Sequence, residues 1–333
     1  MENFAELKEL LTQPKKILIT SHANPDGDAI GSSLGLFHFL KELGHDVTVI
    51  LPTEMPDFFD FLPSYQDILI YEKSQTSCIQ LIEQSEIIFA LDYNHFNRTE
   101  HMEASLSSSN AYKVMIDHHL GPDSFPQARL WKTEASSTCE LVYEFIDLFK
   151  YQFPLSIDIL NCLYVGILTD TGGFQYATTP ALFRMVAEMT EKGLNPNLIS
   201  DLVNNAYSYK RFRLLGFSIY EKLELLEDIN TGIIVLNLND HKDFTIQRGD
   251  LEGIVNMVLK IRKIKCAVLI TERKDRVKLS FRSKGDFSVQ KICAEHFNGG
   301  GHQNASGGQS KEPLSKVITK LKQVLYANQE LLA

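Results

Sequence analysis

The stretch "KILITSHANPDGDAIGSSLG", residues 16–35, decides the fold class. Its first five residues are almost continuously apolar, as in a strand buried on both faces. "AIGSSLGLFHFLKELG" (29–44) then has a helical pattern that stops at Gly44, and "DVTVIL" (46–51) returns to strand. The unit reads β–α–β. One polar cap would serve the passage from strand to helix, yet His22, Asp26 and Asp28 crowd into seven residues. Asp28 alone reads as a helix N-cap. Three such residues together read as metal ligands. Gly27, Gly31 and Gly35 fall four apart, which suits close packing of this helix on the sheet better than contact with phosphate.

The same rhythm continues outward. "DILIY" (67–71), "IIFALDY" (87–93) and "YKVMIDHH" (112–119) read as further strands. Segments 136–150, 155–169 and 180–192 read as helices, punctuated by Gly193 and Pro196. The fold class is therefore α/β, with a doubly wound, mainly parallel sheet over residues 1–192. Residues 193–229 read as a helical connector. A smaller α+β domain follows over 230–333, where "TGIIVLNLN" (231–239), "CAVLITER" (266–273) and "VKLSFRS" (277–283) read as strands, the last two paired. "NGGGHQNASGG" reads as a glycine-rich loop before a final helix.

Composition narrows the function. The chain has 333 residues, 44% hydrophobic and 23% charged, with a formal net charge of −9. That length suits two domains, and the acidity disfavours tracking of long nucleic acid on a basic surface. Neither an apolar run of about eighteen residues nor a secretory leader is legible, which excludes a membrane span as the expectation. Cys78, Cys139, Cys162, Cys266 and Cys293 are scattered and odd in number. They suit neither a disulfide framework nor a zinc–thiolate site, and a reducing cytoplasm is expected.

Candidate chemistry gathers at strand ends. His22, Asp26 and Asp28 follow the first strand, Asp92 ends "IIFALD", and Asp117, His118 and His119 end "KVMIDHH". In open α/β sheets, ligand sites lie outside the carboxyl ends of the strands. Asp170 ends the apolar run in "GILTDTGGF". Four carboxylates at one locus resist joint ionisation, and two divalent cations would balance them. Carboxylate with imidazole and no thiolate suits Mn²⁺, with Mg²⁺ or Co²⁺ as alternatives. Taken singly, Asp117 could orient a turn and a His–His pair is more often structural. In the C-terminal segment, consecutive glycines could form a backbone nest for an anion or simply a flexible turn.

Together "SHANPDGDAIGSSLG", "ALDYNHFNR", "IDHH" and "LTDTGGF" resemble the ordered motifs of the DHH phosphoesterase family, and "SFRSK" with "NGGGHQNASGG" resembles its associated C-terminal domain. The resemblance covers nearly the whole chain. Length and domain order look most like the nanoRNase and 3′-phosphoadenosine 5′-phosphate (pAp) phosphatase branch.

The resemblance implies a manganese-dependent phosphodiesterase and phosphomonoesterase. It would cut short single-stranded RNA to mononucleotides, and pAp to AMP, by attack of a hydroxide bridging two metals, in a cleft between its domains. His22 and Asp26 would hold one metal, Asp28, His118 and Asp170 the other, and Asp92 both. His119 would contact phosphate or donate a proton, Asp117 would orient the histidines, and Arg98 would clamp the scissile phosphate. Arg282, Ser283, Gly299, Gly300, Gly301 and His302 would bind the far end of the substrate. Gln175 departs from the pattern, because many relatives place a basic residue there.

A linear dinucleotide phosphodiesterase acting on pApA or pGpG is the adjacent alternative. A manganese pyrophosphatase, a long-strand exonuclease and a non-catalytic nucleotide sensor stand further off. Long duplex nucleic acid and membranes are not expected partners, and the reading leaves room for a homodimer.

Overall fold

The structure, a computed structural model, describes residues 1–149, 154–205, 208–247 and 249–332. Lys150, the end of one expected helix, and residues 206 and 207 of the expected connector lie outside them. The chain divides into two compact units, Met1–Ala206 and Tyr207–Ala333.

The first unit holds β1 (Lys16–Thr20), β2 (Asp46–Leu51), β3 (Leu69–Ile70), β4 (Ile87–Leu91), β5 (Tyr112–Asp117) and β6 (Ala128–Trp131). Their order in the sheet is β3-β2-β1-β4-β5-β6, and every neighbouring pair is parallel. This is the doubly wound order whose direction reverses between β1 and β4. Its helices are α1 (Phe4–Leu10), α2 (Gly27–Glu42), α3 (Gln75–Gln84), α4 (Glu103–Ser108), α5 (Thr138–Leu148), α6 (Ile157–Asp170), α7 (Pro180–Glu191) and α8 (Pro196–Asn204).

Strand alternation explains why the runs are apolar throughout. Ile17 and Ile19 join the core formed with α2, α5 and α6, whereas Leu18 joins the opposite core with Cys78 and Ile82 of α3 and Leu106 of α4. Both faces are covered, so polar alternation is absent. The expected strand over 67–71 shrinks to two residues, flanked by single 3₁₀ turns at Tyr65–Asp67 and Tyr71–Lys73.

The glycines of α2 do not serve the sheet. A Cβ at Gly31 would lie 2.4 Å from the Cys162 carbonyl oxygen, and one at Gly35 would lie 2.5 Å from Leu163 Cδ2. Gly27 faces Thr169 in the same way. The seam is therefore between α2 and α6, running antiparallel, and side chains there would force the two backbones apart.

The second unit contains α9 (Tyr209–Tyr220), β7 (Leu223–Leu226), β8 (Thr231–Leu236), α10 (Leu238–Asp243), α11 (Ile254–Leu259), β9 (Cys266–Glu272), β10 (Val277–Ser283), α12 (Val289–His296), β11 (Gly300–His302), β12 (Ala305–Ser310) and α13 (Leu314–Ala327). Its sheet runs β11-β12-β10-β9-β8-β7, antiparallel except between β8 and β9. Two corrections follow. The segment read as a helical connector ends in the edge strand β7, which pairs with β8. "NGGGHQNASGG", read as a loop, is a β11–β12 hairpin. A Cβ at Gly299 would lie 1.9 Å from the Gly307 carbonyl oxygen, so glycine there lets two backbones touch.

Candidate functional site

β1, β4 and β5 are neighbours in the sheet, and the polar residues after each converge at the order reversal. The N-cap of α2 is Asp26, not Asp28. Asp26 Oδ1 accepts hydrogen bonds from the Asp28 and Ala29 backbone N–H groups at 3.0 and 3.1 Å. That leaves the Asp28 side chain, 1% exposed, to turn inward. Its two oxygens accept from the N–H groups of Thr138 (2.7 Å) and Cys139 (2.9 Å), the first residues of α5. Asp92, just past β4, has φ 61°, a left-handed conformation that Asp tolerates better than most side chains. Asp170 is the last residue of α6.

Asp92 stands at the centre. Its Oδ2 lies 3.1 Å from His22 Nε2, and its Oδ1 lies 3.6 Å from His118 Nε2. His22 Nε2 is also 3.9 Å from Asp26 Oδ1. His118 Nε2 is 3.9 Å from Asp28 Oδ2 and 3.5 Å from Asp170 Oδ2. Asp92 Oδ1 also lies 3.5 Å from His119 Nδ1, so one carboxylate faces three imidazoles and gives separate oxygens to His22 and His118. The Nδ1 atoms of both rings face main-chain carbonyls, Ala23 at 3.0 Å and Ala135 at 3.2 Å. With Nδ1 turned to a carbonyl, each ring presents Nε2 to the cluster, the atom that would ligate a metal once its proton has left. Asp117 holds His119, not His118: His119 Nδ1 lies 2.8 Å from Asp117 Oδ1.

The charges strain against one another. Burial, followed by the negative charges of Asp92 and Asp170, pushes the Asp28 carboxyl well above the usual range. Burial works against ionised Asp92 as well, but the neighbouring His118 and His22 imidazoles outweigh it and hold this carboxyl well below the usual range. For His118, burial opposes protonation, while Asp92, Asp170 and Asp28 together raise its pKa well above the ordinary value. His22 is raised in the same manner, against burial, chiefly by its bond with Asp92. His119 is lowered, by burial first and the Arg98 charge second. Arg98 Nη1 is buried and has no hydrogen-bond partner among the described residues.

These donors fit divalent cations. Ligand atoms of His22, Asp26 and Asp92 lie within 4.8 Å of one another, as do those of Asp28, Asp92 and His118. Cys139 adds no thiolate: its Sγ faces the Asp28 main-chain oxygen at 3.7 Å, and burial raises the thiol well above its ordinary range.

In the second unit, register pairs both Arg282 and His302 with Ala305, so the three form one row on one sheet face. Val277, Leu279 and Phe281, the alternate residues of β10, pack into the core with Phe297 and Leu321. Ser283 shares that inner face rather than the face of Arg282. Its hydroxyl donates to the Phe287 carbonyl at 2.6 Å and accepts from Asn304 at 2.9 Å. Gly300 and Gly301 lie in β11, beside His302.

The family model for the DHH family, N-terminal domain, matches residues 16–167, and that for the DHHA1 domain matches residues 230–328. A solved structure, an exopolyphosphatase-related protein from Bacteroides fragilis, is 36% identical with a TM-score of 0.93, covering 98% of this chain and 96% of its own. The chain belongs to the DHH family. Two relatives from Thermus thermophilus and Bacillus subtilis carry the name bifunctional oligoribonuclease and PAP phosphatase NrnA. The first is 29% identical, covering 93% of this chain and 88% of the relative. The second is 26% identical, covering 91% of each.

Within this DHH-family chain, the helix expected over 136–150 is present as α5, but its first residues have a part in the site that was not expected. "SSTCE" carries the signal of a helix start, Ser with Glu three residues on. Ser137 Oγ accepts from the Glu140 N–H at 3.1 Å, and Glu140 Oε2 accepts from the Ser136 N–H at 2.7 Å. That this turn grips Asp28 depends on tertiary packing, which no local pattern carries.

Proposed function

We propose that this chain is a divalent-metal-dependent phosphoesterase that cuts short oligoribonucleotides to mononucleotides and pAp to AMP. The observation that carries the reading is Asp92, whose two oxygens face His22 and His118 separately. The relatives named bifunctional oligoribonuclease and PAP phosphatase support the substrate class. His22, Asp26 and Asp92 would hold one cation, and Asp28, Asp92, His118 and Asp170 a second. Mn²⁺ suits this donor set, with Mg²⁺ or Co²⁺ as alternatives. Bound there, the ions supply Lewis acidity and lower the pKa of water for in-line phosphoryl displacement.

The side chains do the rest. Arg98 offers its unpartnered Nη1 to a phosphoryl oxygen, adding positive charge where negative charge develops. His119, oriented by Asp117 through Nδ1, would carry the transferred proton on its imidazole. A phosphoryl group pairing with Arg98 cancels one of the two causes that lower the His119 pKa. The imidazole then takes up a proton and passes it to the leaving oxygen. Arg282 and His302, in one row, bind a non-reacting phosphate; Gly300 beside them, with nothing within 4 Å of where a Cβ would lie, leaves the backbone open to it.

A turnover panel tests this, with pAp, pApA, pGpG and an RNA of about two dozen nucleotides, in Mn²⁺ and in chelator. Mononucleotide release from the short substrates, at least about tenfold faster than from the long RNA, is the expected result; tenfold corresponds to about 1.4 kcal/mol of barrier. Metal-independent turnover, or rates that rise with length, would overturn the reading.

A further inference from the structure

Thr138 is fully buried and bonds to two of the three carboxylates that face His118, those of Asp28 and Asp92. Its hydroxyl donates to Asp92 Oδ1 at 3.1 Å, and its backbone N–H donates to Asp28 Oδ2 at 2.7 Å. The Cys139 N–H takes the other Asp28 oxygen at 2.9 Å. The turn that presents these donors is itself pinned at Ser137 and Glu140. As the first residue of α5, Thr138 has no preceding helical carbonyl to satisfy its hydroxyl, so Asp92 is its natural acceptor. Three hydrogen bonds from the N-terminus of α5 therefore fix the carboxylate planes of Asp28 and Asp92 in advance.

The other grouping is built differently. The Asp26 side chain is 45% exposed, and the oxygen nearest His22 is already spent capping α2. Binding a cation at His22 and Asp26 requires that carboxylate to share its cap or turn.

We propose that Thr138 is a positioning residue that preorganises the cation position formed by Asp28, Asp92 and His118. That position then fills before, and more tightly than, the one formed by His22 and Asp26. The inference rests on the two-metal reading given above, and its test separates the two.

The experiment is a Mn²⁺ titration of chelator-stripped full-length protein, followed by calorimetry and by electron paramagnetic resonance. Wild type is expected to show two steps, the first giving a mononuclear spectrum. Thr138→Val keeps the shape and removes the hydroxyl; it should weaken the tight step about tenfold and the weak step less than about threefold. Thr138→Ser should restore the tight step. Thermal unfolding in chelator shows whether each variant folds, and Thr138→Ala takes the place of the valine variant if that one does not. Two equal steps in wild type would overturn the inference. So would a hydroxyl-free variant that loses thermal stability but binds the first Mn²⁺ as wild type does, since that would make Thr138 merely structural. Absence of Mn²⁺ binding by wild type would overturn the two-metal reading itself, and the inference with it.

Discussion

The two candidate regions, one in each unit, are built on opposite plans. In the first unit the polar groups follow strands or occupy helix ends, and main-chain N–H and carbonyl groups grip most of their side chains. In the second, Arg282 and His302 stand on the surface of a sheet, aligned by strand register. The first plan suits charges that must be held against mutual repulsion. The second suits recognition, where small adjustments cost little. Substitutions should therefore abolish function in one region and only retune it in the other.

The strongest way to break this contrast is Asp92→Asn. Asn accepts the left-handed backbone found at this position, φ 61°, so the change removes charge without straining the chain. Turnover should fall at least about a thousandfold, about 4 kcal/mol of barrier. The unfolding temperature in chelator should fall while the chain still folds, because the folded state favours ionised Asp92 beside His118 and His22. Activity above a few per cent of wild type at saturating Mn²⁺ would remove Asp92 from its central place.

Acidity acts next. The raised pKa values of Asp28, His22 and His118 mean that these groups keep protons a cation must displace. Mn²⁺ affinity should therefore fall as pH falls, by about tenfold or more between about pH 8 and about pH 6. Calorimetry in two buffers of different ionisation heat should show net proton release. Pairing of Arg282 with a phosphate should be less sensitive over that range, because a guanidinium does not titrate there.

Arg282→Ala should raise KM for pApA about tenfold, with kcat within about twofold and the Mn²⁺ isotherm unchanged. A comparable loss of kcat would place Arg282 in the chemistry. The smallest effect is expected one residue away. Ser283→Ala removes a hydrogen bond on the inner face of the sheet, so it should cost about 1 kcal/mol in denaturant unfolding and leave KM alone. A KM change without a stability change would move Ser283 to the ligand-facing side in function, against its side-chain direction.

Much of this was legible in the chain. β1, β2, β4 and β5 are strongly apolar, and their ends carry His22, Asp26, Asp28, Asp92, Asp117, His118 and His119 within short motifs. The misses have physical reasons. β6 is four residues long and only half buried in pattern, too short for a periodic signal. β7, "LELL", reads as helix because Leu and Glu favour helices, and pairing with β8 overrides that preference. The glycines of "NGGGHQNASGG" signal freedom locally, whereas close approach across a hairpin is what requires Gly299 and Gly301. Thr138 was invisible because its partners lie 46 and 110 residues away in sequence.

The glycine seam between α2 and α6 has a consequence for how this protein tolerates change. Asp28 rides on the first turn of one helix and Asp170 on the last residue of the other, so the seam fixes the spacing between them. Gly35 lies about 10 Å along the axis from Asp28, at about 1.5 Å per residue, and is remote from any substrate. A methyl group added there would still pry the two helices apart and widen the separation between two candidate ligands. If these residues hold cations as proposed, the choice of ion is heritable through positions that never touch it, and a lineage adapting to a larger or smaller cation has a route that leaves every candidate ligand in place.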